Sequence, residues 1–316
     1  MSNVPADERT LDALRAGDAG TLARAITQVE RRTAEGGRLL RSIQPSLGRA
    51  RVIGFTGVPG AGKSTLISRY VGALRSAGKR VAVIAVDPSS PISGGAVLGD
   101  RIRMSEHATD AGVFVRSLAS RGHAGGLAPT ATHVVDLMDA AGWDRILIET
   151  VGAGQGEIEI ADAADVRVVV CAAGLGDEVQ ALKAGILEIA DVLVVNKCDL
   201  SGAAATASQL EAMLVLRADA ARNVNVCRTT ATCGEGVAAL AEIIERRLAE
   251  GASQPMRSPQ RIRRLLAAAT GNLLTRKLRE LDETWLTGIC ERLQRGELDL
   301  EGAAREVLRS GRVSNE

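Results

Sequence analysis

Short, almost continuous apolar runs alternate with amphipathic stretches through the middle of the chain. The runs lie at residues 52–55, 81–86, 146–148 and 192–195, and they are rich in valine, isoleucine and leucine. Runs of this length, bounded by glycine, asparagine or acidic residues, are typical of strands buried on both faces of a parallel sheet. The pattern therefore predicts an α/β fold with a doubly wound, mostly parallel sheet over residues 49–250.

The N-terminal part of the chain has a helical period instead. Leu22, Ile26 and Val29 recur at helical spacing, with charged residues between and after them. Such an apolar stripe usually packs on a neighbouring domain. We expect residues 1–48 to form an N-terminal helical extension of the central domain.

The C-terminal segment, residues 251–316, carries a longer apolar stripe than a single helix needs. Ser258 and Pro259 match a capped helix start, and apolar residues recur at helical spacing from Ile262 to Leu293. The stripe either folds back on the central domain or joins two copies of the chain. We favour the second alternative and expect this segment to be the dimerisation arm of a homodimer.

The first apolar run ends in a glycine-rich segment that matches the phosphate-binding template G-x-x-x-x-G-K-[ST] at every fixed position. Glycines let backbone N–H groups turn towards phosphate oxygens, a lysine here reaches the β- and γ-phosphates, and the following hydroxyl is a Mg²⁺ ligand. A strand before the segment and a helix after it are the expected setting. We therefore expect a nucleoside triphosphate to bind at Gly57, Pro59, Gly60, Ala61, Gly62, Lys63, Ser64 and Thr65.

A second motif, N-K-x-D, indicates which base is bound. Asn196, Lys197 and Asp199 follow a predicted strand, at the edge of the sheet where α/β proteins bind ligands. The Asp199 carboxylate can accept hydrogen bonds from N1 and N2 of guanine, and adenine offers no such pair of donors. The motif favours GTP over ATP. After a later strand, Thr230 and Ala231 are expected to add a backbone contact to the base.

Acidic residues lie at strand ends and in loops between these two motifs. Asp87 and Glu149 each close an apolar run, and Asp100 lies in a loop. Such carboxylates often cap helices or face solvent, but their order after the phosphate loop favours a metal site. With Ser64 they are the candidate Mg²⁺ ligands. Gly152 is the candidate for a backbone contact to the γ-phosphate.

Composition limits the alternatives. At 316 residues the chain can form one large α/β domain with helical additions, and a net charge of +1 gives no basis for a nucleic-acid or membrane partner. No apolar run approaches the roughly 20 residues of a membrane span, and a signal-peptide core is missing, so we expect a cytoplasmic protein. The five cysteines and three histidines lack metal-ligand spacing, which disfavours a metallochaperone-type GTPase.

At these motifs the chain resembles the MeaB/ArgK-type GTPases, the G-protein chaperones of adenosylcobalamin-dependent acyl-CoA mutases such as methylmalonyl-CoA mutase. The Asp-Pro-Ser-Ser-Pro and Arg-Gly-His stretches are specific to this family, and the resemblance covers essentially the whole chain. It rests on residues 57–65, 87–104, 121–126, 149–155 and 196–199. The resemblance implies a homodimer that binds GTP/GDP and Mg²⁺ and that gates cofactor loading and protection of such a mutase. It also allows a cobalamin adenosyltransferase as a second partner.

The same resemblance implies that Lys63, Gln180 and Lys183 contribute to hydrolysis, the last two in a segment similar to the family's third switch. No arginine finger or water-positioning glutamine is assigned by a motif, so we expect slow turnover until a partner orders the switches. The alternative is a small-molecule kinase or a transport-associated ATPase. A kinase needs an acceptor pocket and a lid, neither of which the sequence locates.

Overall fold

A computed structural model gives the structure of the protein and describes residues 6–87, 104–119, 129–150, 163–173, 189–215, 224–251, parts of 263–278, and 283–310. The chain divides into two compact units, Met1–Arg257 and Ser258–Glu316. No helix among these residues is long and apolar enough to cross a membrane.

A seven-stranded parallel sheet forms the centre of the larger unit. Its strands are β1 (Arg51–Gly57), β2 (Val81–Asp87), β3 (Val113–Ala119), β4 (Arg145–Glu149), β5 (Val166–Ala172), β6 (Val192–Asn196) and β7 (Asn225–Arg228). Their order is β3-β2-β4-β1-β5-β6-β7. The predicted α/β fold with a parallel sheet is confirmed. Because all pairs are parallel, the carboxyl ends of the strands meet at one edge, with β1 between β4 and β5.

Helices cover both faces of this sheet. In chain order they are α1 (Ala6–Arg15), α2 (Ala19–Glu30), α3 (Ala34–Ser42), α4 (Lys63–Ser76), α5 (Pro129–Ala140), α6 (Ala203–Val215) and α7 (Val237–Glu250). Short 3-10 turns lie at Gln44–Ser46 and Ser105–His107. Since successive strand residues point to opposite faces, Val52 packs with the N-terminal helices and α5, whereas Ile53 and Phe55 pack with α4 and α7. Both sides of β1 are therefore fully buried.

The N-terminal helices are part of the core of the larger unit. Leu22 and Ile26 of α2 are buried in the same cluster as Val52 of β1 and Ile146 of β4. At the sheet edge, Arg116 of β3 donates a short hydrogen bond to the Glu30 carboxylate of α2. The helical extension thus covers one face of the sheet and binds its edge strand.

The start of β1 is fixed by one buried carboxylate. Asp139, near the end of α5, is 2% exposed, and its oxygens accept hydrogen bonds from the backbone N–H groups of Gly48, Arg49 and Ala50. The two bonds to Arg49 and Ala50 measure 3.1 and 2.8 Å. An N–H group buried without a partner costs free energy, so this carboxylate sets where β1 enters the sheet.

The smaller unit is helical in its described residues. The described residues between 263 and 278 are helical, and α8 (Glu283–Gln294) packs on α9 (Leu300–Arg309) through Ile289, Ala303 and Val307. Asp299 caps α9 by accepting a hydrogen bond from the Gly302 N–H at 2.6 Å. The role of this unit in dimerisation stays a prediction.

We expect Asp139→Ala to lower the free energy of unfolding by about 3 kcal/mol, because the buried N–H of Ala50 and two partly buried N–H groups beside it lose a charged acceptor. Urea titration followed by circular dichroism measures this change. The control is Asp12→Ala, at an exposed position of α1, which should change stability by less than about 0.5 kcal/mol. Equal stability of the Asp139 variant and the parent would contradict the anchoring role.

Candidate nucleotide site

The predicted phosphate loop joins β1 to α4 at the carboxyl edge of the sheet. Gly57 has a φ of 132° and Gly62, which precedes α4, has a φ of 87°. A Cβ atom on Gly57 would overlap the Val170 carbonyl, and one on Gly62 would lie 2.5 Å from the Asn196 amide nitrogen. Both positions therefore require glycine. The N-terminus of α4 points its N–H groups to this edge, which favours an anion there.

The Lys63 side chain is buried and folds back over the loop. Its Nζ donates hydrogen bonds to the carbonyl oxygens of Gly57 at 2.9 Å and Val58 at 3.1 Å. These contacts hold the ammonium group at the mouth of the loop. A positive charge fixed there can neutralise charge on a triphosphate without first being ordered.

Ser64 and Glu149 meet in the position predicted for a metal. The Ser64 hydroxyl donates to Glu149 Oε1 at 2.6 Å, and both side chains are buried. Glu149 ends β4 opposite Phe55 of β1, and Asp87 ends the neighbouring strand β2. A hydroxyl and a carboxylate are hard oxygen donors, which is the ligand chemistry that Mg²⁺ prefers, so the described residues fit this ion.

A single buried amide joins the phosphate loop to the loop after β7. Asn196 is 2% exposed, and its Nδ2 donates to the Ala61 carbonyl at 2.8 Å. Its Oδ1 accepts hydrogen bonds from the Thr229 hydroxyl at 3.0 Å and the Ala231 N–H at 3.1 Å. One side chain thus fixes the spacing between the predicted phosphate and base sites.

The remaining residues of the N-K-x-D motif turn sharply after β6. Lys197 has a φ of 60°, and the Cys198 N–H donates to the Thr229 carbonyl at 3.1 Å. Burial raises the pKa of the Cys198 thiol, so it stays neutral and donates to the Val195 carbonyl. The Asp199 side chain is exposed beyond this turn. A carboxylate in that position is accessible to a ligand.

The structure brings together the predicted residues of both half-sites, from the phosphate loop, Glu149, Asn196 and the loop containing Thr230 and Ala231. Asp100, Gly152, Gln180 and Lys183 lie outside the described residues. The motifs did not predict the role of the Thr229 hydroxyl as a partner of Asn196. In the sequence, this role is indicated only by the position of Thr229 directly after β7.

Comparisons with known proteins agree with this geometry. The family model of the methylmalonyl-CoA mutase-associated GTPase MeaB matches residues 22–282. A protein of Pyrococcus abyssi named "Putative GTPase" is 46% identical over 234 residues, which cover 73% of this chain and 72% of that protein. The mitochondrial methylmalonic aciduria type A homolog of Mus musculus is 40% identical over 190 residues, or 58% of this chain and 46% of that protein.

A solved structure shares the fold across the full length. The crystal structure of an LAO/AO transport system kinase aligns with a TM-score of 0.70 and 26% identity, and covers 98% of both chains. The matched family model spans most of the chain and describes a GTPase, and the Pyrococcus relative carries the name "Putative GTPase". The chain therefore belongs to the MeaB family of methylmalonyl-CoA mutase-associated GTPases, and it is a GTP hydrolase.

Proposed function

We propose that the protein is a GTP-hydrolysing chaperone that gates cofactor loading and protection of an adenosylcobalamin-dependent acyl-CoA mutase, with methylmalonyl-CoA mutase as the first candidate. The observation that carries the proposal is the Asn196 amide, which ties the phosphate loop to the loop at residues 229–231. This link supports joint recognition of a base and its phosphates. The description of the matched family and the name of the mouse relative support the mutase as partner.

In this proposal, the base and the phosphates use different parts of the site. Asp199 accepts hydrogen bonds from guanine, and Lys197 and the loop at 230–231 complete the base site. The phosphate loop surrounds the phosphates, and Lys63, held by two carbonyl oxygens, neutralises their charge. Because these groups are already ordered by the fold, little reorganisation is needed on binding.

Ser64 and Glu149 would hold Mg²⁺, with Asp87 and Asp100 as further candidate ligands. When bound, Mg²⁺ supplies electrostatic stabilisation of the charge on the transferring phosphoryl group. The buried position of Glu149 supports this role, since charges interact more strongly where water is excluded. Gly152 stays the candidate for γ-phosphate contact, and Gln180 and Lys183 stay the candidates that assist hydrolysis.

The coupling to the mutase is a matter of binding free energy. If the mutase prefers one nucleotide state, its presence must change the affinity for that nucleotide by the same factor. Slow basal hydrolysis then acts as a timer, and the partner reads the nucleotide state. This reciprocity distinguishes a chaperone from a GTPase whose only output is phosphate.

A small-molecule kinase or a transport-associated ATPase is the second candidate function, because the solved structure aligned over the full length is named as a transport system kinase. A kinase transfers the γ-phosphoryl group to an acceptor, whereas a GTPase transfers it to water. Phosphate release from GTP and from ATP, measured without any acceptor, separates the two. Hydrolysis of ATP but not of GTP would favour the ATPase. Consumption of ATP only when an acceptor is added would favour the kinase.

We expect Asp199→Asn to weaken GTP binding at least tenfold and to improve binding of xanthosine triphosphate, because an amide can donate to the xanthine carbonyl where a carboxylate cannot. Isothermal calorimetry with both nucleotides measures the change. Asp12→Asn, an exposed position on α1, is the matched control and should bind both nucleotides as the parent does. Unchanged GTP affinity in the Asp199 variant would refute the guanine assignment.

We expect the cognate mutase to raise the rate of phosphate release from GTP several-fold. Lys183→Ala and Gln180→Ala should reduce this increment more than they reduce the basal rate, because the partner acts through these residues. Lys63→Ala should suppress both rates, since it removes the charge that faces the phosphates. If no mutase of the same organism changes the rate or co-elutes in any nucleotide state, the chaperone proposal fails.

We expect the C-terminal unit to join two copies of the chain. Leu266 and Leu273 are helical residues seven positions apart in the apolar stripe, a spacing that places both on one side of a helix, and they are 64% and 48% exposed. Leu273→Glu should convert a dimer to a monomer in light scattering, as should deletion of residues 257–316. Thr275→Glu, on the opposite side of that helix, is the control. A monomeric parent protein at micromolar concentration would contradict this expectation.

A further inference from the structure

Arg69 lies in the second turn of α4 and reaches the loop that follows β7. Its Nη2 donates a hydrogen bond to the Thr232 carbonyl at 3.0 Å, and its Nε donates to the Ala231 carbonyl at 3.3 Å. The planar guanidinium has N–H groups at fixed angles. Two successive carbonyl groups bound to it are therefore fixed in direction as well as in position.

Both backbone polar groups of Ala231 are bound by side chains. Its N–H donates to Asn196 Oδ1 at 3.1 Å, and its carbonyl accepts from Arg69 at 3.3 Å. The turn that follows is tight, because the Thr230 N–H donates a hydrogen bond to the Glu235 carbonyl at 3.0 Å and a Cβ on Gly236 would overlap the Arg228 carbonyl. Because these contacts fix the turn, the orientation of residues 231 and 232 depends on the side chains of Asn196 and Arg69.

We propose that Arg69 is a positioning residue for the guanine base: it binds the carbonyl groups of residues 231 and 232 and so fixes the position of the loop beside the base. The proposal rests on the assignment of residues 230–231 and Asp199 to guanine. Arg69 acts through the loop and does not touch the nucleotide. Because Arg69 is on the helix that begins with Lys63 and Ser64, it also keeps the base loop in register with the phosphate site.

The other charged neighbour of Arg69 does not explain its position. Glu106 lies 4.0 Å from Arg69 Nη1, and both side chains are about half exposed, so solvent and salt weaken this ion pair. Glu106 instead accepts a short hydrogen bond from Ser68, which is the main reason that its pKa is below its usual range. The two carbonyl contacts are the shorter and better directed interactions of Arg69.

The test compares nucleotides that differ only in the base. Arg69→Ala should lower the affinity for GDP and GTP about tenfold and speed up GDP dissociation. The affinity for ATP, measured by competition, should change less than twofold. The kcat at saturating GTP should stay within twofold, because the phosphate site is intact. Arg69→Lys keeps the charge but loses the paired N–H groups of the guanidinium, and it should lower the affinity for GDP by a smaller factor. Glu106→Gln is the control, because glutamine can still accept the hydrogen bond from Ser68 but cannot form the ion pair with Arg69. Its affinities for GDP and ATP should stay within twofold of those of the parent.

Asp199→Asn in parallel separates this proposal from the guanine assignment itself. If Arg69→Ala and Arg69→Lys bind GDP as the parent does while Asp199→Asn weakens it, the positioning role is wrong and the guanine assignment stands. If Asp199→Asn also has no effect, the guanine assignment fails. Equal weakening of GTP and ATP by the Arg69 variants would overturn the positioning role, because it would show an effect on the shared phosphate site.

Discussion

The structure of the candidate site depends on the buried amide of Asn196. Its NH₂ group serves the phosphate loop and its oxygen serves the loop after β7, so one planar group satisfies both sides. Only a side chain with a donor and an acceptor can do this. An aspartate would place a carboxylate oxygen against the Ala61 carbonyl, so that two acceptors would face each other without a proton between them. An apolar residue would leave buried groups without partners, at about 1–3 kcal/mol each.

This amide can work only because the sheet brings distant segments to one edge. In a parallel sheet every strand ends on the same side, and the placement of β1 between β4 and β5 puts the phosphate loop beside Glu149. The anchoring of residues 48–50 by Asp139 sets where β1 begins, and therefore where its glycine-rich end lies. A small shift of β1 would also move Ser64 in α4 and break the 2.6 Å hydrogen bond from its Oγ to Glu149 Oε1.

Most of this architecture is predictable from local sequence, and the exceptions have a common cause. Apolar runs predict β1, β2, β4 and β6, since strands buried on both faces need continuous hydrophobic residues. The apolar run of β3 is broken after three residues by Arg116 and Ser117, because this strand lies at the edge, where Arg116 pairs with Glu30 on α2. A partner that is distant in the chain leaves no signal in the local pattern.

The same distinction holds in the site. Lys63, Ser64 and Asn196 are predictable because their chemistry requires fixed spacing within one short segment. The contacts of Thr229 with Asn196 and of Arg69 with Ala231 join residues 33 and 162 positions apart, and no motif includes them. Such residues become visible only when the fold places them together. They support the motif residues and are invisible to motif searches.

The separation of the two half-sites also constrains how nucleotide state is signalled. The base half is a closed network of Asn196, the loop after β7 and Arg69, and a guanine base is the same in GTP and GDP. Contacts that are equal in two states cannot shift an equilibrium between them. In the proposed cycle, the difference between GTP and GDP must therefore arise near Ser64 and Glu149, where the γ-phosphate and Mg²⁺ would bind. The chain runs from β2 and β4 at that place into the segments after Asp87 and Thr150. In the proposed cycle these two segments, with the one that contains Gln180 and Lys183, are the candidates through which a partner would sense hydrolysis.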